Sequence, residues 1–200
     1  RDVAPSRGLG DVYKRQVCDR LGIYVEQENA ACFKGDNGFG IYNPPQDFLA
    51  GFAEMIEGAR NHPSVIIWSL ANESSFEKTY AFRAEYRYVK DVDRTRPVIF
   101  SYPRTVRTKP LPYDIFSWHY QKVTGRLGSH KMPVLHDEFA HVSCYNIENL
   151  KEENSSRAFW GESIRRGWER IFHTDGALGC AIWAGIDLSL IHISEPTRRS

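Results

Sequence analysis

Long apolar runs are missing from this sequence. No stretch approaches the ~20 consecutive apolar residues that a membrane-spanning helix needs, so neither such a span nor a membrane partner is expected. An excess of one charge is missing too. The 26 basic and 25 acidic residues leave a formal +1, with no basic footprint to suggest nucleic acid as a partner. Cysteine is scarce, and Cys18, Cys32, Cys144 and Cys180 show neither CxxC spacing nor a disulfide ladder. They read as scattered buried thiols. Also absent are a glycine-rich phosphate loop, a solenoid repeat, a nucleophilic Ser or Cys motif and a signal-peptide pattern. No organic cofactor is implied, and the compartment is not readable.

What the chain does have is chemistry at the ends of apolar runs. Val65, Ile66, Ile67, Trp68 and Leu70 read as a strand buried on both faces, the pattern of a parallel sheet, and the run ends in Asn72-Glu73. Met132-Pro133-Val134-Leu135-His136-Asp137-Glu138 delivers a second carboxylate the same way. Carboxyl ends of parallel strands are where barrel enzymes place their chemistry. Two glutamates delivered there are the equipment for breaking a glycosidic bond. His136, Asp137, Glu138 and His141 make a dense cluster, but the zincin pattern needs two His four apart on a helix. Here the histidines are five apart on a strand-like run, so no metal is expected.

Residues 61–73 (NHPSVIIWSLANE) resemble the acid/base strand of glycoside hydrolase family 2. Glu138-Phe139-Ala140-His141 resembles the nucleophile segment of that family's β-galactosidase branch, usually Glu-Tyr-Ala-His. Cys18–Val25 resembles the third barrel strand with the helix end before it. Asp93–Val98 resembles the Asp-x-Thr-Arg-Pro turn into the fifth strand, and Gly179–Trp183 the eighth. The resemblance covers roughly residues 17–187 and implies an α/β fold, an incomplete (β/α)8 TIM barrel of about strands three to eight. A whole barrel takes about 250 residues, so the first barrel strands and upstream β-sandwich domains are expected to be missing.

The implied activity is retaining hydrolysis of terminal β-linked sugars, with Glu138 as nucleophile and Glu73 as general acid and then base. A general acid must hold its proton near neutrality, which burial and a neighbouring anion favour. In sequence Glu73 stands near Trp68 and Leu70 with no adjacent cation, whereas Glu138 stands near His136 and His141 as potential donors. Asn72 is implied to hydrogen-bond the sugar 2-hydroxyl, and His119 and Trp183 to contact the sugar. His141 and Asn146 follow the nucleophile where the β-galactosidase branch has His and Asn, and Tyr102 is a further sugar-side candidate. The departures are Phe139 for the usual Tyr, Asp137 where a small residue is common, and Trp183-Ala184-Gly185 in place of Trp-Asp-Trp. The Asn-x-Lys motif of glucuronidases is not evident. A β-galactosidase-like hydrolase is expected first. The alternatives are another β-glycosidase of the family, of β-glucuronidase or β-mannosidase type, or a catalytically silent carbohydrate-binding fragment.

Patterning predicts strands at 22–28, 64–71, 97–101, 115–118, 133–137 and 178–183. Helices are expected after Asp47, over 76–93 and over 155–173, the last with Phe159, Ile164, Trp168, Ile171 and Phe172 inward. The first helix carries Phe48, Leu49, Phe52, Met55, Ile56 and Ala59 on one face. Residues 1–16 and 189–200 carry no such period and resemble translated adaptor sequence, so 17–188 is the expected partial barrel domain. Without these tails, which hold +2 and +1, that segment carries −2.

Overall fold

The computed structural model describes residues 9–32, 45–75, 81–103, 110–120, 126–129, 131–139 and 154–183. The chain divides into two compact units, residues 1–117 and 118–200.

In the first unit the elements alternate: α1 (Leu9–Leu21), β1 (Val25–Glu28), α2 (Pro45–Ala59), β2 (Val65–Asn72), α3 (Ala81–Val92), β3 (Val98–Ser101) and the start of β4 (Ile115–His119). Every ladder is parallel: Val25 is opposite Val65, Trp68 opposite Val98, and Ile99 opposite Ile115. The core lies where apolar runs predicted it. Val65, Trp68, Leu70, Val98, Ile99 and Phe100 are buried, and α2 adds Phe52, Ile56 and Ala59 from its expected face. Phe82 and Val89 of α3 are buried too, with Phe82 edge-on to Phe100 at 4.8 Å between centroids.

Two polar clamps hold the amino-terminal end of β2. Trp68 Nε1 donates to Asp93 Oδ2 (2.9 Å), as does Arg96 Nη1 (2.7 Å), while Thr95 donates through its N–H and hydroxyl to Oδ1. Arg96 also donates to the carbonyls of Val65, Arg60 and His62 and lies over the Trp68 ring. Burial pushes the Asp93 carboxyl up, but these donors outweigh it and hold it well below the usual carboxylate range. Asp19 forms the second clamp, accepting from the Ser64 N–H (2.9 Å) and meeting His62 Nδ1 (2.6 Å). Hydrogen bonding from Ser64 brings Asp19 down to about 2 against the cost of desolvation, and His62 adds to it.

The second unit holds the end of β4, then β5 (Val134–Phe139), α4 (Asn154–Phe172) and β6 (Ala177–Ile182). β5 and β6 are parallel. Leu127, Phe139 and Ile171 form the core, with Ile164, Ala177 and Cys180 against it. A methyl group on Gly167 would stand 2.2 Å from the Phe139 ring, so only glycine lets β5 approach α4 this closely.

Several expectations need correction. Trp168 and Phe172 of α4 are 46% and 68% exposed, because the buried stripe runs through Gly167 and Ile171 instead. The first strand starts at Val25, after Gly22 at φ 68 ends α1 in a left-handed cap. α1 itself begins at Leu9, so residues 9–16 are helical although no amphipathic period marks them. Tyr13 and Leu21 are exposed on that helix. Cys18, Cys32 and Cys180 form no disulfide among the described residues and are half-buried rather than fully buried, and burial pushes the Cys180 thiol up. Cys144, the side chain of Phe159 and residues 184–200 lie outside the described residues.

Candidate active site

Three residues other than glycine have positive φ among the described residues: Glu73 (39°), Tyr102 (48°) and Tyr120 (49°). Each stands one position beyond the carboxyl end of a strand, after β2, β3 and β4 respectively. Left-handed backbone costs an L-residue about 1–2 kcal/mol, and such strain concentrates at functional sites. Here each strained residue is held by the strand that follows. The Glu73 N–H donates to Ser101 O (2.8 Å), that of Tyr102 to Ser117 Oγ (2.7 Å), and that of Tyr120 to Glu138 O (2.9 Å).

In the first unit this geometry brings Asn72, Glu73 and Tyr102 to one strand edge. Asn72 is half-buried and closely held. Its N–H donates to Ala31 O (2.8 Å), its carbonyl accepts from Ser74 Oγ (2.9 Å), and Ser101 Oγ reaches its carboxamide oxygen at 3.4 Å. The carboxamide N–H donates to Cys32 Sγ at 3.5 Å. Glu73 and Tyr102 are half-buried as well. Glu28, at the end of β1, is exposed.

In the second unit Glu138 is 8% exposed at the end of β5. The Tyr120 phenol donates to its Oε2. His119 lies beside it with Nδ1 3.4 Å from Glu138 Oε2 and Nε2 3.6 Å from Asp137 Oδ2, its side chain 1% exposed. Both ring nitrogens therefore face carboxylates, at ion-pair range rather than tight hydrogen-bond range. His136 does not serve Glu138 as expected. Its Nε2 bonds Leu127 O at 2.9 Å, and burial lowers its proton affinity, against the pull of Leu127 and Asp137. Trp183, just beyond β6, is 38% exposed, and its N–H donates to Phe139 O. His141 and Asn146 lie outside the described residues.

Tyr120 is the residue that sequence reasoning passed over. It follows His119 directly, and the signal available was its place just past a strand end, as Glu73 and Glu138 were read. An acidic oxygen accepting a phenolic hydrogen bond, beside a histidine, is a carboxylate held in one orientation. That is what an attacking group needs.

Comparison with known proteins agrees with the fold. The β-galactosidases of Yersinia pseudotuberculosis serotype O:1b (strain IP 31758) and Yersinia pestis bv. Antiqua (strain Angola) are 29% identical to this chain over 199 residues. The alignment covers 90% of this chain, which spans 17% of the length of those relatives. Among solved structures, the GH2 β-galacturonidase from Eisenbergiella tayi bound to galacturonate superposes with a TM-score of 0.65 at 21% identity, covering 84% of this chain and 34% of that one. Ruminococcus gnavus β-glucuronidase gives 0.66 at 18%, covering 86% and 35%. Those likenesses show the fold, part of a (β/α)8 barrel. The family model described as "Glycosyl hydrolases family 2, TIM barrel domain" matches residues 11–143, two-thirds of the sequence, and the chain belongs to that family.

Proposed function

We propose that this chain supplies the catalytic edge of a retaining β-glycosidase, with β-galactosides as the first substrate class. Glu138 is the nucleophile. Its carboxylate attacks the anomeric carbon as the bond to the leaving oxygen breaks, and Glu73 gives that oxygen its proton. The glycosyl ester on Glu138 is then opened by water, which surrenders a proton to Glu73 as its oxygen bonds the anomeric carbon. This requires the two carboxyl groups about 5–5.5 Å apart. Asn72 hydrogen-bonds the 2-hydroxyl. His119 and Tyr120 orient the nucleophile, and Tyr102, Trp183, His141 and Asn146 line the sugar. The galactoside preference rests on the curated relatives, which carry that name.

The single observation that carries the reading is the environment of Glu138. A largely buried carboxylate at a strand end, with a phenol donating to it and a histidine alongside, has no evident structural task there. The test uses the full open reading frame that encodes this chain. Glu73→Gln and Glu138→Gln each lower turnover of aryl β-galactosides by at least about a hundredfold, the scale of general acid–base catalysis alone. A 2-fluoro galactoside with a good leaving group labels Glu138. Full activity in both variants would sink the proposal. Turnover of glucuronides or mannosides instead of galactosides would keep the mechanism and change the sugar.

A further inference from the structure

We infer that Cys32 is a positioning residue for the Asn72 carboxamide. The inference rests on the reading of Asn72 as the group that meets the sugar 2-hydroxyl. Cys32 is not on a named strand. It forms an isolated parallel bridge opposite Asn72, and the residue before it accepts the Asn72 N–H. The loop is thus laid against the end of β2, and the thiol is delivered to the carboxamide, whose N–H donates to Sγ at 3.5 Å.

The carboxamide is held from both sides. Ser101, paired opposite Asn72 across the β2–β3 ladder, reaches its oxygen with a hydroxyl at 3.4 Å. Cys32 takes its nitrogen. An amide rotates almost freely about its last bond unless partners choose between its two ends. With oxygen toward Ser101 and one N–H on sulfur, the other N–H remains available for a substrate hydroxyl. The contacts to Ala31 and Ser74 hold only the Asn72 backbone, so among the described residues Ser101 alone restrains the amide once the sulfur is removed. Such a device acts on the transition state, because the contact to the 2-hydroxyl tightens as the oxocarbenium character develops.

The experiment is a double-mutant cycle in the full open reading frame, with kcat, KM and thermal unfolding measured for each variant. Cys32→Ala lowers kcat about two- to tenfold, the range of one ordinary hydrogen bond, with KM and the melting temperature nearly unchanged. Cys32→Ser keeps an acceptor for the amide N–H and restores kcat to within about twofold. In an Asn72→Ala background Cys32→Ala has no further effect, because the residue it positions is gone. Wild-type kcat in Cys32→Ala, equal losses in Ser and Ala variants, or additive losses in the double variant would each overturn the inference. If Cys32→Ala does not fold, Cys32→Ser set against Cys32→Val carries the comparison. Failure of the parent reading is separate: it shows as undiminished turnover in Asn72→Ala or in the two glutamate variants.

Discussion

Glu85 is a carboxylic acid in the wrong place, and replacing it should stabilise the protein. It sits on α3 between Phe82 and Val89, fully buried. Asn29 Nδ2 donates to Oε1 at 3.2 Å, and Oε2 is buried without a hydrogen-bond partner among the described residues. Desolvation by burial pushes its pKa from 4.5 up to about 9. The folded state therefore binds a proton that the unfolded chain releases at neutrality. Because the folded pKa is the higher one, the penalty is absent below about pH 4.5, grows from there towards pH 9, and is complete above it. At pH 7 the group is about 2.5 pH units above its unfolded value, or about 3 kcal/mol at 1.36 kcal/mol per unit. Glu85→Gln keeps the acceptor for Asn29 and needs no proton. Allowing for relaxation around the ionised acid, the gain is about 1–3 kcal/mol at pH 7, or roughly 3–10 °C in melting temperature. Urea and thermal unfolding at pH 5, 6, 7 and 8 provide the assay. Wild type loses stability relative to the variant as pH rises, and the two converge near pH 5. Parallel curves across that range would refute the reasoning.

Asp93→Asn leaves Arg96 facing Trp68 without its carboxylate, and should cost about 2–4 kcal/mol in urea unfolding. Because the folded Asp93 value is depressed, the wild-type advantage is present above about pH 3.8 and disappears as pH falls below it. Gly167→Ala puts a methyl group into the Phe139 ring and should destabilise the second unit by about 1–3 kcal/mol, with Phe139→Leu relieving part of the loss. Tyr120→Phe removes a charge-assisted hydrogen bond from Glu138 and should lower kcat about ten- to a hundredfold, while circular dichroism and melting stay close to wild type. Phe172 and Leu178 are more than half exposed, so Phe172→Glu with Leu178→Lys should reduce concentration-dependent association in analytical ultracentrifugation. An unchanged sedimentation profile would assign any association to another surface.

Much of this protein was legible before any coordinates. Strands such as β2 announce themselves because burial on both faces makes nearly every residue of Val65–Leu70 apolar, a property carried by adjacent positions. The family motifs are equally local, and they led to Asn72, Glu73, His119 and Glu138.

Tertiary structure decided what depends on residues far apart in the chain. Periodicity put Trp168 and Phe172 of α4 inside, but a helix buries the face its partner accepts, and Phe139 packing on Gly167 turned the helix another way. His136 looked like a donor for Glu138 by proximity, yet Leu127 takes its N–H, and Tyr120 reaches Glu138 from the preceding strand. The left-handed turns at Glu73, Tyr102 and Tyr120 carry no glycine to mark them. They persist because a neighbouring strand holds each N–H, a contact no linear pattern encodes. Local sequence thus determined which residues become strands and helices and which carboxylates stand at their ends. Packing and long-range hydrogen bonding determined which way those side chains are held.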